Sequence, residues 1–231
     1  MRRVLTTEHL DVGSHPDTLI ADDLLQVRRV NRYFGGLRLV LSELERLLRV
    51  DGPAEPVRIL DVATGSADLP LGIVEWARRR GLDIHVSAIE LNPQVMRCAR
   101  ARTRPVPQVS LVRADALALP VRPSSCHYVF CSLFLHQLEE ATGIRLLRNL
   151  LELAGRAVVI NDLRRHRLHY AAAWTLAHAC TRNPITRHDA PASVRNSYTL
   201  EEMRDLAAAS GARDAEITRY WPFRACLVLR P

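Results

Sequence analysis

The chain has 231 residues, 48% of them apolar and 25% charged, and a formal charge of +7. That much apolar material fills one full core and excludes a disordered chain, and no run of roughly 18 apolar residues offers a membrane span. The excess positive charge is arginine without lysine, scattered among acids, with only 5% aromatics, which argues against a nucleic-acid partner.

Residues 1–18 are polar and mixed, carry Gly13 and Pro16, and are expected to be loose. They lack the apolar stretch of a secretory signal, and a cytoplasmic protein is expected. Leu24, Leu25 and Val27 begin a helical pattern. Beyond Tyr33-Phe-Gly-Gly36, the residues Leu37, Val40, Leu41, Leu44, Leu47 and Leu48 recur at helical spacing. Asp51-Gly-Pro-Ala-Glu-Pro56 breaks the pattern and divides an N-terminal helical lid, 1–55, from a main domain, 56–231. Strands and helices then alternate. Strands are predicted at 57–60, 84–89, 109–112, 128–133 and 156–160, and helices at about 70–80, 93–103 and 139–153, with Pro93 at a helix start. Arg78-Arg79-Arg80 reads as a helix end. This rhythm implies a doubly wound, mostly parallel sheet. His166 to Cys180 reads as a further helix. Arg182 to Ser197, with Pro184 and Pro191, reads as an insert or lid. Thr199 and Glu202 form a capping box, and strands near 213–219 and 224–229 close the chain as an antiparallel hairpin, giving seven strands. Five cysteines (Cys98, Cys126, Cys131, Cys180, Cys226) form no C-x-x-C pair, so most of them read as buried thiols rather than disulfides or a zinc site.

The most informative segment is Val57-Arg-Ile-Leu-Asp-Val-Ala-Thr-Gly-Ser-Ala-Asp-Leu-Pro70. A buried strand ends in Asp61, a turn of small residues lets a ligand approach the backbone, and a helix begins near Leu69. Glu90 ends the next strand. Together they point to a nucleoside-type cofactor lying across the edge of a parallel sheet.

With Leu60-Asp-Val-Ala-Thr-Gly65, Ile89-Glu-Leu-Asn-Pro93, Arg113-Ala-Asp-Ala-Leu117, Val129-Phe-Cys-Ser-Leu-Phe-Leu-His136 and the terminal helix and hairpin in order, the chain resembles class I S-adenosylmethionine-dependent methyltransferases, and among them small-molecule methylases of the ubiquinone/menaquinone-methylase-like type. The resemblance covers about residues 20–230. It implies a Rossmann-like methyltransferase fold, with N-terminal helices and a helical insert at about 163–198 that shapes an acceptor pocket. It also implies S-adenosyl-L-methionine as cofactor, S-adenosyl-L-homocysteine as its product, and no metal. The turn would hold the amino-acid part through Asp61, Ala63, Thr64 and Gly65, with the helix N-terminus by its carboxylate. Glu90, with Leu91 beside it, would take the ribose hydroxyls, Asp115 and Ala116 the adenine, and Ser132 the ammonium. Two departures stand out: alanine occupies positions 63 and 67, where such enzymes usually have glycine, and His127 stands where an Asp often enters strand four.

Methyl transfer asks a protein to align donor and acceptor and to exclude water. A phenol also benefits from a base, and His136, just past strand four, is the candidate. Tyr33, Phe34, His166, Tyr170, Trp174 and the segment 182–198 are expected around the acceptor. Arg164, Arg187 and Arg195 could grip an acidic group on it or lie solvated at the surface. The polar, glycine-rich stretch Arg29 to Gly36 is expected to cover the cofactor. Asp162 after strand five is a lone carboxylate, poor for magnesium, and is expected to cap the following helix. A small-molecule acceptor of phenolic, polyketide or quinol type is the leading expectation, with a homodimer as a possible assembly. The alternatives are a nicotinamide-dependent oxidoreductase, against which stands the missing G-x-G-x-x-G, a methylase of RNA or protein, and a non-catalytic cofactor-binding protein.

Overall fold

The computed structural model describes residues 1–231 except Gly13, Pro53 and Ala54. The expected linker at 51–56 therefore lies partly outside the described residues, as does the Gly13 of the N-terminal stretch. Seven strands form one sheet in the order β3-β2-β1-β4-β5-β7-β6. Strands β1 (Val57–Val62), β2 (Ile84–Glu90), β3 (Val109–Arg113), β4 (Cys126–Ser132) and β5 (Ala154–Leu163) run parallel. Strands β6 (Asp214–Tyr220) and β7 (Arg224–Arg230) run antiparallel at the edge beside β5. The order reverses between β1 and β4, and the crevice beyond the carboxyl ends of the strands at that reversal is where a ligand is expected in such a sheet.

Helices cover both faces, as a parallel sheet requires. On one face α5 (Glu140–Leu153) and α8 (Leu200–Ser210) pack Leu146, Leu147, Leu150, Met203 and Leu206 against Leu60, Val129 and Val158. On the other, α2 (Gly36–Asp51) and α3 (Asp68–Arg78) pack Leu39, Val40, Leu44 and Ile73 against Ile59, Val86 and Phe130. Helix α2, assigned from the sequence to a lid, is thus one layer of the core. Its neighbour α1 (Asp17–Tyr33) is held by a small cluster in which Ile20 and Leu24 meet Val95 of α4 (Pro93–Thr103) and Ile185 of α7 (Pro184–Asn196). The glycine turn between α1 and α2 is there for packing: a Cβ on Gly36 would come within 2.9 Å of the buried Arg224 guanidinium. No helix among the described residues is long and apolar enough to cross a membrane.

One local expectation sharpens and one changes. Residues 184–196 are an α-helix. Pro184 sits in its first turn behind the Asn183 cap, where the missing N–H costs nothing, and Pro191 is accommodated inside it. Strand β5 runs to Leu163 because Asn161, Asp162 and Leu163 pair with Cys226, Ala225 and Arg224 of β7. Asp162 is therefore a buried strand residue, not a cap. The cap of α6 (Arg167–Cys180) is His166, whose side chain accepts from Leu168 N. Of the five free thiols Cys126, Cys131 and Cys226 are buried, Cys98 is half-buried and Cys180 is exposed.

Candidate active site

A cavity of about 990 Å³ opens at the carboxyl ends of β1, β2 and β4 and is lined by six acids (Glu8, Asp11, Asp61, Asp68, Glu90, Asp115) against Arg97, Arg113 and His136. In a chain of net positive charge this is an electronegative pocket, suited to a cationic ligand.

The first wall is the β1–α3 turn. Asp61 is buried. Its Oδ2 accepts from Thr64 Oγ1 at 2.6 Å, while its Oδ1 has no partner. Burial, only partly offset by that bond, pushes its pKa up to about 7. An orphaned buried carboxylate oxygen facing a cavity is a site waiting for a donor. Gly65 follows at φ 58°, with open space where a side chain would stand, so a ligand can lie against the backbone. Glu90 accepts from Gly65 N at 3.0 Å and Asn92 N at 2.8 Å; burial raises its pKa despite these bonds. Its carboxylate keeps lone pairs for two more donors. Asp115, exposed at the cavity mouth, accepts from Leu117 N at 2.9 Å and so shapes the turn around Ala116.

The opposite wall is built around His136. Leu133 takes a left-handed φ of 56° and donates its N–H to Asn161 O, which swings the chain from β4 into the short turn Leu135–Gln137. A bulky residue in this conformation is strained, and such strain recurs where a side chain must be aimed. His136 is buried between two carboxylates: Nδ1 lies 2.7 Å from Asp162 Oδ1 and Nε2 3.1 Å from Glu8 Oε1. Its backbone N–H also donates to Asp162 Oδ2. Burial works to lower the pKa of the imidazole, but Asp162 and Glu8 outweigh it and push it up to about 10. At neutral pH His136 is therefore a cation that donates from both nitrogens, where the sequence led us to expect a free base.

Glu8 reaches this position because α7 holds the N-terminal segment. Asp189 accepts from His9 N and Leu10 N, Ser193 donates to Glu8, and Asn196 exchanges two bonds with the backbone of Thr6. These three residues lie at i, i+4 and i+7, one polar stripe on the helix. His9, His188 and Asp189 come together here, but the imidazoles stack parallel at 3.6 Å. No ion can lie in both ring planes, and Asp189 already serves two backbone N–H groups, so the cluster is a clamp on the chain.

Residues 59–157 match the family model described as a methyltransferase domain. No curated protein matches the sequence. Among solved structures, the fold is similar to that of a SAM-dependent methyltransferase from Aquifex aeolicus (TM-score 0.64, 14% identity, covering 90% of this chain and 97% of that one). It is also similar to human N-acetylserotonin methyltransferase in complex with SAM (0.68, 12%, 93% and 56%) and to a protein described as a pericyclic reaction enzyme (0.59, 18%, 80% and 47%). The chain spans about half the length of the last two. At such identities the likeness carries the fold and not the chemistry.

Within the matched residues, Asp61, Ala63, Thr64, Gly65, Glu90, Leu91, Asp115, Ala116, Ser132 and His136 all line the cavity. Of the residues expected around an acceptor, Ser193 of the segment 182–198 lines it too, while the named aromatic and basic side chains do not. Tyr33 ends α1 largely in solvent, and Arg187 is spent on Thr181 O and His178 O. Arg164 has a buried Nε without a partner outside the cavity lining. His166 stacks on Phe223 at 5.5 Å, and Tyr170 is half-buried on α6. Of the stretch 29–36 only Asn31 borders the cavity; the cover is made by Leu5 to Glu8, Leu10, Asp11, Ser14, Leu24 and Val27. Glu8 and Asp162 lie outside the matched residues 59–157 and were missed as site residues.

Proposed function

We propose that the chain binds S-adenosylmethionine in this cavity and transfers a methyl group to a small-molecule acceptor, an aromatic hydroxyl or carbon of phenolic, polyketide or quinol type, as ubiquinone/menaquinone-methylase-like enzymes do. The observation that carries the reading is the pair of buried carboxylates on either side of the Gly65 turn. Asp61 Oδ1 lacks a donor and would take the ammonium of the cofactor; Glu90 would take the two ribose hydroxyls, and the turn at Asp115–Ala116 the adenine. When bound, the cofactor supplies an electrophilic methyl on a sulfonium. The protein's own part is to align the acceptor, with the positive charge of His136 as one anchor, and to keep water out with Leu5 to Glu8, Leu10, Asp11 and Ser14. Nothing in this needs a metal.

Calorimetry on the purified chain with S-adenosylhomocysteine and, separately, NADH tests the cofactor. Binding of the first and not the second is expected; the reverse would move the reading to a dinucleotide-dependent oxidoreductase. A methyl-transfer screen on phenolic and quinol acceptors then tests the chemistry. His136→Ala should lower turnover while leaving S-adenosylhomocysteine affinity intact. A second reading, cofactor binding without methyl transfer, rests on Ala63 and Ala67, both held in the left-handed region at φ 56° and 57°. Tight binding with no transfer to any acceptor would favour it.

A further inference from the structure

Glu8 is an acid from the N-terminal stretch, yet it is 8% exposed and lines the cavity. Both of its oxygens are satisfied by the cavity wall. Oε1 accepts from Ser193 Oγ at 2.5 Å and faces His136 Nε2 at 3.1 Å; Oε2 accepts from Gln137 Nε2 at 3.0 Å. All three donors belong to the body of the protein, the turn after β4 and helix α7. The imidazole is oriented without Glu8, since Asp162 takes Nδ1 from behind and the backbone N–H of the same residue. A cation, an amide and a hydroxyl therefore converge on one point, spaced for two oxygens of a planar carboxylate.

The segment carrying Glu8 is held by polar contacts, with Thr6, His9 and Leu10 bonded to Asn196 and Asp189 and Arg3 donating to the carbonyls of Asn196, His136 and Leu138, and its Val4 and Leu5 are exposed. Such a segment opens locally far more cheaply than the core. Opening alone would strand a buried imidazolium without one of its counter-ions, which is costly. An incoming anion of the same shape removes that cost.

We propose that Glu8 occupies a carboxylate subsite of the acceptor pocket, so that the acceptor carries a carboxylate, displaces Glu8, and takes over His136, Gln137 and Ser193. The assignment of this anion to the acceptor rests on the methyl-transfer reading; the subsite itself does not. A phenolate offers one oxygen and would leave part of the donor set unpaired, and a neutral amide would leave the imidazolium uncompensated.

The test is a titration of the full chain, labelled with ¹⁵N at histidine, in its native form and as Glu8→Ala, with benzoate, phenol and benzamide at neutral pH and without cofactor. Benzoate should bind Glu8→Ala at least about tenfold more tightly than the native chain and than either neutral probe, as expected for restoring a buried ion pair, and should move the His136 imidazole resonances. Equal benzoate affinity in the two proteins, phenol or benzamide binding as tightly as benzoate, or unmoved His136 resonances would overturn the proposal. Should Glu8→Ala fail to fold, the native chain still decides: high benzoate should speed amide exchange at Thr6, His9 and Leu10, and benzamide should not. Equal exchange with both would sink the idea. A chain that binds benzoate in this way but no S-adenosylhomocysteine would remove the methyl-transfer reading and leave the subsite standing.

Discussion

The wall formed by Asp61 to Gly65, Glu90 and Asp115 to Ala116 comes from three consecutive strand–loop units, each placing its side chain within a few residues of a strand end. The wall opposite draws Glu8, His136, Asp162 and Ser193 from segments as much as 185 residues apart. The first wall uses backbone groups and carboxylates left partly free. The second is a closed ionic network with every described partner engaged. One is prepared for a ligand; the other is self-satisfied and must be rearranged by one. The contrast predicts that substitutions in the second wall threaten stability first, and those in the first wall threaten binding first.

The largest effect is expected at Asp162. Asp162→Ala removes the acceptor for His136 Nδ1, His136 N and Leu163 N and leaves a buried cation half-paired, which should cost about 3–5 kcal/mol, read by urea denaturation. A surface pair such as Arg97 with Asp17 should cost no more than about 1 kcal/mol. The sign with pH follows from His136. Its ordinary value of 6.5 is raised to about 10 in the folded chain, so its stabilisation is complete below about 6.5 and is lost as pH rises toward 10. The native chain should therefore weaken across that window, and Asp162→Ala should weaken much less. A parallel decline in both would disconnect the network from stability.

How far each wall was legible in the sequence follows from the same contrast. The strand–turn–helix around Gly65, the acid ending β2 and the parallel order are local patterns, so their residues could be named and all of them line the cavity. Sequence spacing carries no comparable information about Glu8 meeting His136. That contact depends on the polar face of α7, and a helix broken in appearance by Pro184 and Pro191 gave no spacing to read. Polarity also misled: residues 1–18 were expected to be loose, yet Thr6, Glu8, His9 and Leu10 are tied to α7 by hydrogen bonds with Asp189, Ser193 and Asn196. The aromatic and basic residues near the insert were expected at the acceptor for their chemistry alone, but Tyr33 faces solvent and Arg187 caps carbonyls.

An intermediate effect is expected in the first wall. Asp61 ordinarily titrates near 3.8 and is pushed up to about 7, chiefly by burial, so the free protein keeps it protonated over a range where the chain in solution would not. A ligand ammonium stabilises the charged form and must drive the proton off. S-adenosylhomocysteine affinity should thus rise with pH by up to about tenfold per unit between roughly 4 and 7, then level, with proton release visible in calorimetry across buffers of different ionisation heat. Asp61→Asn should abolish the slope. A slope surviving in that variant would assign the linkage to another acid of the cavity.

The smallest effect separates two alanines in one turn. Ala63 and Ala67 both have left-handed φ, 56° and 57°, a conformation costing an L-residue about 1–2 kcal/mol. Glycine removes that strain but adds freedom to the unfolded chain worth about 0.5–1 kcal/mol. For Ala63, half-buried and lining the cavity, the balance favours glycine, and Ala63→Gly should stabilise by about 0.5 kcal/mol. For Ala67, fully buried, deleting the methyl forfeits about 0.8 kcal/mol of burial, which cancels the gain. Ala63→Gly should also let the cofactor sit closer to the backbone and tighten S-adenosylhomocysteine binding a few-fold, while Ala67→Gly, whose side chain does not border the cavity, should leave affinity unchanged. If both variants bound alike, the methyl of Ala63 would be no obstacle, and the alanines would be a matter of folding rather than of ligand approach.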